Sequence, residues 1–213
     1  MFHNDNTFFV SSKQEIEQVT FMDKAAKIIR VLTVAPLMAG VMLTILFLWN
    51  PSLTGGWAGY LCGLLFLTLL PLLAYPAQPR LKAFRDRGRD GQRSLAMLFA
   101  VGGYVLGCLT TLFLHAPRSL WIIYLEYLIS GLIILLFNKA FGLKASGHAC
   151  GVAGPVALLV YFGVPALLAG LGLLVLVYAS SLRIKRHTPG QLAGGTLIPL
   201  ATLGLLALLF SVI

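Results

Sequence analysis

Apolar stretches of membrane-spanning length follow one another along nearly the whole chain. A helix needs about 20 apolar residues to cross the hydrocarbon core of a bilayer. With 58% hydrophobic and 11% charged residues among 213, the chain has too little polar surface for a soluble globule. We predict an all-α, polytopic membrane helix bundle, with residues 1–213 as one integral membrane domain. The seven predicted spans are 31–49, 57–75, 95–114, 119–137, 147–163, 165–182 and 190–212.

Two stretches of the sequence fit more than one arrangement of helices. The fifth and sixth spans are short and are separated only by FGVP at 162–165, where glycine and proline favour a tight turn. In the polar N-terminal segment 1–30, apolar residues recur at helical spacing, and Ser12 with Glu15 resembles a capping box. This segment is either an interfacial helix or a polar extension of the first span. It lacks the features of a cleaved signal peptide, so we expect it to persist.

Charge predicts how the bundle is oriented. Of the 16 Lys and Arg residues, a seven-span topology leaves only Arg118 on one face and the other 15 on the opposite face. The positive-inside rule therefore places the N-terminus and the loops around 76–94, 138–146 and 183–189 in the cytoplasm, in a plasma or inner membrane. This asymmetry explains the net charge of +9 without a nucleic-acid partner. Three tryptophans, Trp49, Trp57 and Trp121, mark the opposite boundary.

Two polar clusters interrupt this apolar pattern on the same predicted face. The first is KASGHACGVAG at 144–154 and the second is RIKRHTPGQ at 183–191. Each contains a histidine, cations and a helix start, a combination suited to binding a phosphate. His187 could attack phosphorus while His148 protonates the leaving alkoxide. This is a way to cleave a phosphoester without a metal or a cofactor. The cysteines never form a C-x-x-C pair, so we expect neither a disulfide framework nor a zinc site.

The clusters resemble two signature motifs of the phosphatidic acid phosphatase type 2 superfamily. Its pattern runs K-x(6)-R-P, then P-S-G-H, then S-R-x(5)-H-x(3)-D, and here ASGH at 145–148 and SLRIKRHTPGQLAGG at 181–195 are similar to the second and third parts. The resemblance covers residues 95–213 at most. It implies a six-helix core with one extra span, a phosphohistidine at His187 and general acid catalysis by His148. The implied phosphate ligands are Lys144, Ser146, Gly147 and Arg183.

The chain departs from this pattern at three places. The first motif is absent, and Asn138, Lys139 and Lys144 are the nearest substitutes for its cations. Ser181 stands where the family has arginine, and Arg183 follows two residues later. Gln191 replaces the aspartate that orients the nucleophile, although its carbonyl can still accept a ring N–H from His187.

We therefore expect an integral membrane lipid phosphatase that is independent of metal. Phosphatidic acid, phosphatidylglycerol phosphate and polyprenyl phosphates or diphosphates all suit the clusters, and a role in phospholipid metabolism would follow. The alternatives are a carrier or flippase that binds anionic lipid heads with the same cations, and a structural membrane subunit. Glu126, an acid within a span, is expected to pair with a neighbouring span or act as a gate. DRGRDGQRS at 86–94 is interpreted as a solvated basic loop.

Overall fold

The computed structural model describes residues 22–139 and 144–212, and every element in these ranges is a helix. We number the helices in chain order, and a 3₁₀ turn at Pro51–Thr54 links the second to the third. The helices are α1 Met22–Leu32, α2 Ala35–Trp49, α3 Gly56–Arg80, α4 Lys82–Arg85, α5 Gly88–Phe113, α6 Arg118–Lys139, α7 Gly147–Tyr161, α8 Leu167–Arg183 and α9 Pro189–Val212. The predicted all-helical class is confirmed for the described residues.

The number of spans differs from the sequence prediction. Four helices are long and apolar enough to cross a membrane, namely α3, α5, α6 and α9, and α1 with α2 would add a fifth as one bent span. Helices α7 and α8 have 15 and 17 residues. At about 1.5 Å per residue they reach about 22 and 26 Å, short of a core of about 30 Å. The described residues thus support four to five spans, and the count of seven is not confirmed.

The turn between α7 and α8 does fall where FGVP predicted it. Gly163 adopts a φ of 82°, a left-handed conformation that favours glycine. Phe162 donates its backbone N–H to Leu158 O and closes the last turn of α7. The two segments are therefore separate helices that are joined by a turn at this glycine.

The boundary between α1 and α2 also differs from the prediction of one span at 31–49. The two helices meet at an angle of 58°. Pro36, near the start of α2, lacks the N–H that would bond Leu32, and its ring would clash with that carbonyl in a continuous helix. Ser12 and Glu15 lie outside the described residues. Thr33 lies at this bend and is buried.

The bundle packs around a core near the middle of the chain. Helix α9 lies against α6 and α7, α2 lies against α7, and α5 lies between α3 and α6. Met42, Leu43, Ile123, Tyr124 and Leu158 are fully or nearly fully buried in this core. Many large apolar side chains point outward, as Phe113 and Leu168 do at 78% and 84% exposure. An apolar exterior of this kind is expected for a bundle surrounded by lipid.

The start of α9 lies directly against the segment that begins α7. A methyl group added at Gly195 would overlap the backbone of Ser146, because the two segments touch there. Ser146 N–H also donates to Gln191 O at 2.9 Å. Glycine at position 195 therefore allows the two polar clusters to meet.

We expect Gly195→Ala to lower the thermal midpoint of the detergent-purified protein, because overpacking against backbone costs about 1–3 kcal/mol. Gly194→Ala is the matched control, since a methyl group at Gly194 would meet no atom within 4 Å. Equal midpoints for the two variants would contradict the close approach of α9 and Ser146.

Candidate functional site

A cavity of about 740 Å³ opens among the helix ends where α1 finishes and α5, α7 and α9 begin. Both histidines of the polar clusters line it, although 39 positions separate them in sequence. Three arginines line it as well: Arg30 from α1, Arg93 from α5 and Arg186 from the turn before α9. Basic side chains and imidazoles from four parts of the chain therefore face one space.

The two clusters are in direct contact as well. The bond from Ser146 N–H to Gln191 O joins the segment before α7 to the first turn of α9. His187 lies close enough to His148 that a proton on the His187 ring would lower the pKa of His148, after the larger effects of burial and Arg30. The separation in sequence is therefore closed by the packing of α7 against α9.

The turn before α9 directs Arg186 and His187 toward the cavity. Lys185 has a φ of 51°, which is unfavourable for a residue with a Cβ. Its N–H donates to Leu182 O, and Arg186 N–H donates to Ser181 O. This is the pattern of a Schellman motif, with lysine in the position that glycine usually takes. The strained residue comes just before His187, where the chain must turn sharply.

Gln191 holds His187 and also caps α9. Its Oε1 accepts from Thr188 N–H at 3.3 Å, while its own N–H donates to Thr188 Oγ1 at 3.3 Å. With Pro189 at the first helical position, this is a capping box. His187 Nδ1 lies 3.1 Å from the same Oε1.

This capping box fixes the tautomer of His187. A backbone N–H can only donate, so the Gln191 atom facing Thr188 is the carbonyl oxygen. The oxygen then accepts from His187 Nδ1, and that nitrogen carries the proton. The neutral ring is left with a free electron pair on Nε2. A nucleophile needs such a pair.

The surroundings keep the His187 ring neutral at pH 7. Partial burial is the largest cause that lowers its pKa below the ordinary value, and the charges of Arg30, Arg93 and Arg186 lower it further. The hydrogen bond to Gln191 acts in the opposite direction and raises the pKa. The net pKa of His187 is below its usual 6.5.

His148 is held from the bend between α1 and α2. Its Nε2 lies 2.8 Å from Thr33 Oγ1. Thr33 donates its single hydroxyl proton to Ile29 O at 2.7 Å, so Oγ1 is left to accept from His148 Nε2–H. Thr33 is only 4% exposed and lies at the break between α1 and α2. Sequence reasoning did not identify Thr33.

Arg30 is the main functional candidate that sequence reasoning missed. It lines the cavity, and its Nη1 donates to Ser181 Oγ at 2.8 Å. Ser181 stands where the phosphatase pattern has arginine, so a guanidinium from α1 lies beside the position of the missing one. The sequence contains one signal for it, because Arg30 lies six residues before Pro36 and a proline there can bend the chain. Taken alone, a cation before a span indicates only membrane orientation.

Arg183, the substitute predicted from sequence, has another partner. Its Nε pairs with Asp23 Oδ1 at 3.0 Å, joining the end of α8 to α1. It is not among the residues that line the cavity. Arg30, and not Arg183, therefore lines the cavity with the two histidines, because Arg183 points toward the start of α1.

The other predicted phosphate ligands are divided in the structure. Asn138 and Gly147 line the cavity, whereas Lys139 and Lys144 are exposed and are not among the lining residues. Ser146 is fully buried and its hydroxyl caps α7 by accepting from Ala149 N–H at 3.3 Å. Asn138 Nδ2 donates to Ala145 O at 3.4 Å and so connects the end of α6 to the first cluster.

The segment at 86–94 is more than the solvated loop that its composition suggested. The chain becomes helical at Gly88, and Asp90, Gln92 and Arg93 all line the cavity. The interpretation failed because charge density alone does not distinguish a free loop from a helix start that faces a polar cavity. Among the described residues, no group of three or more His, Cys, Asp or Glu side chains could hold a metal ion.

Glu126 also lines this cavity. It is 2% exposed and accepts from Ser130 Oγ on its own helix at 3.1 Å, rather than from a neighbouring span. The cavity thus extends from the arginines at the helix ends to a carboxyl group deep within the bundle.

No family model matches this chain, and neither the curated proteins nor the solved structures contain a match to it. The resemblance to the phosphatase superfamily therefore depends on the two short motifs alone. The class that the fold defines is an all-helical membrane protein with a cationic, histidine-containing cavity at one end of its bundle.

Replacing Gln191 with glutamate tests the arrangement around His187. A carboxylate at this position stabilises the imidazolium, so we expect Gln191→Glu to raise the pKa of His187 by about one unit. Titration of the ring by NMR in histidine-labelled protein measures this, with His187→Ala identifying the resonance. Because the change is in the folded state, the charged ring would persist to higher pH. An unchanged pKa would contradict the contact with Nδ1.

Proposed function

We propose that the chain is an integral membrane lipid phosphatase that transfers phosphate from a lipid to His187 and then to water. The observation that carries the proposal is that His148, His187 and three arginines face one cavity at the helix ends. The guanidinium groups would bind the phosphate oxygens, each through charge-assisted hydrogen bonds. The two motifs that resemble the phosphatase superfamily contain these same two histidines.

The reaction follows from the tautomer of His187. Its free Nε2 electron pair forms a bond to phosphorus as the bond to the alcohol oxygen breaks. Burial, and then the charge of Arg30, lower the pKa of His148 in the empty site. That ring therefore takes up a proton from water once the phosphate anion offsets the arginines, and it passes this proton to the leaving oxygen. Water then attacks phosphorus, the P–N bond breaks and His148 takes the proton from water. Gln191 Oε1 accepts from Nδ1–H throughout. A neutral amide stabilises the charged intermediate less than a carboxylate would, so we expect modest turnover.

The neutral state of His187 has a defined role in this proposal. Partial burial, and then the charges of the arginines proposed to bind phosphate, lower the pKa of the ring, so the nucleophile is unprotonated at pH 7 in the absence of substrate. When an anionic phosphate enters, it offsets the charge of Arg30, Arg93 and Arg186. Burial and the same cations therefore leave the His187 ring unprotonated at the moment when the substrate arrives.

Lipid substrates remain the proposed class because the helices surrounding the cavity carry an apolar exterior. Phosphatidic acid, phosphatidylglycerol phosphate and polyprenyl phosphates or diphosphates carry the required phosphate.

The cytoplasmic orientation of the cavity is part of the proposal and depends on the bias of basic residues. We expect the Arg87→Cys variant to stay unlabelled by a membrane-impermeant thiol reagent in intact cells. Labelling of that cysteine would contradict the cytoplasmic orientation.

Phosphate release in excess chelator tests the proposed activity. We expect purified protein to release inorganic phosphate from lipid phosphates, and His187→Ala and His148→Ala each to lower kcat by at least about 100-fold, as loss of a nucleophile or general acid does. Elution volume and thermal midpoint serve as controls for folding. Binding of lipid phosphates without release, in protein that is folded, would instead favour the carrier or flippase.

A second pair of variants separates Arg30 from Arg183. Arg30→Gln should lower kcat/KM by about 100-fold, because a desolvated charge-assisted contact contributes about 3 kcal/mol. Arg183→Gln removes a partly exposed ion pair with Asp23, which contributes about 1 kcal/mol or less, and should change kcat/KM by less than about fivefold. The reverse order of effects would restore Arg183 as the phosphate ligand.

A further inference from the structure

The deep end of the cavity is polar, although it lies among apolar helices. Glu126 and Ser130 line it on one face of α6, and Tyr127 lies beside them. Ser130 Oγ donates to Glu126 Oε1, which leaves the other carboxyl oxygen open to a ligand. Burying a carboxyl group at this depth of a membrane protein costs free energy, so its presence favours a functional role.

Tyr127 has a hydroxyl that lacks a hydrogen-bond partner among the described residues. Its side chain is 7% exposed, and it lines the cavity. Nearer the opening, Asn138 Oδ1 is also buried without a partner in the described part of the chain. A buried polar group without a partner costs about 1–3 kcal/mol. Both groups therefore favour a ligand that brings hydrogen-bonding atoms into the cavity.

The distance between the two ends limits the size of this ligand. A methyl group added at Gly154 would lie 3.0 Å from Glu126 Oε1, so the carboxyl group is level with Gly154 on α7. Six residues separate Gly154 from His148, which corresponds to about 9 Å along the helix. A phosphate bound near His148 therefore leaves room for a sugar ring before Glu126 is reached.

We propose that Glu126, Ser130 and Tyr127 form a subsite for the hydroxyl groups of a sugar-sized polyol whose phosphate ester binds at the arginines. This inference extends the proposed phosphatase function by naming the substrate class. A hydrocarbon chain directly attached to phosphate would leave Tyr127 and the carboxyl group without partners. A site built for hydroxyl groups discriminates strongly against an analogue that lacks them.

The same polyol phosphate could be free or linked to a lipid. Three esters distinguish these sources: a free hexose phosphate, a dodecyl hexoside phosphate with the same sugar, and dodecyl phosphate without a sugar. We expect wild-type protein to hydrolyse at least one of the two sugar esters with a higher kcat/KM than dodecyl phosphate. Preference for the hexoside identifies a lipid-linked substrate, and equal rates for the two sugar esters identify a free one.

Two variants test the subsite through the ratio of kcat/KM for the preferred sugar ester to that for dodecyl phosphate. Tyr127→Phe removes only the unpartnered hydroxyl, and Glu126→Gln removes the carboxylate while keeping its shape. We expect each variant to lower the ratio at least tenfold. Thr202→Val is the matched control, because its hydroxyl is also buried without a partner among the described residues but does not line the cavity.

An unchanged ratio in both variants, an equal fall in Thr202→Val, or a wild-type preference for dodecyl phosphate would overturn the subsite. If no ester releases phosphate, the proposed activity fails, and binding of radiolabelled hexose phosphate then tests the subsite separately. At least tenfold weaker binding by Tyr127→Phe would support it. Equal binding by wild type and Tyr127→Phe would reject it.

Discussion

The hydrogen bond from Ser146 N–H to Gln191 O joins the two parts of the chain that carry the histidines. It forms because Gly195 lets α9 approach the backbone of Ser146. The first turns of α7 and α9 are then side by side, each with its own side-chain cap. The first N–H groups of a helix have no partner within the helix, and apolar neighbours cannot supply one. The caps satisfy some of these groups and so allow two helices to begin beside the histidines.

The site depends on residues that serve structure and chemistry together. Gln191 completes the capping box of α9 and, with the same oxygen, sets the tautomer of His187. Thr33 bonds the carbonyl of Ile29 at the end of α1 and also holds His148. A substitution at Gln191 or Thr33 therefore changes stability and ring orientation at once, so measurements of folding must accompany measurements of activity.

Sequence spacing predicted local contacts better than distant ones. Gln191 lies four residues after His187, one helical turn away, and the contact between them was expected and is present. Arg183 failed as a cavity residue because its direction depends on Asp23, far away in sequence. Arg30 and Arg93 were interpreted as orientation or loop charges, since their position beside His187 arises only when α1 and α5 pack near the turn before α9.

The sequence by itself determined the helical class, the membrane character and the two histidine clusters, because hydrophobic length and local motifs are properties of short segments. It also located the turn at Gly163. Only the tertiary structure decided which cations share a cavity with the histidines and that Glu126 lines the same cavity. These facts depend on the packing of helices distant in sequence, where a single bend at Thr33 redirects a whole helix toward the site.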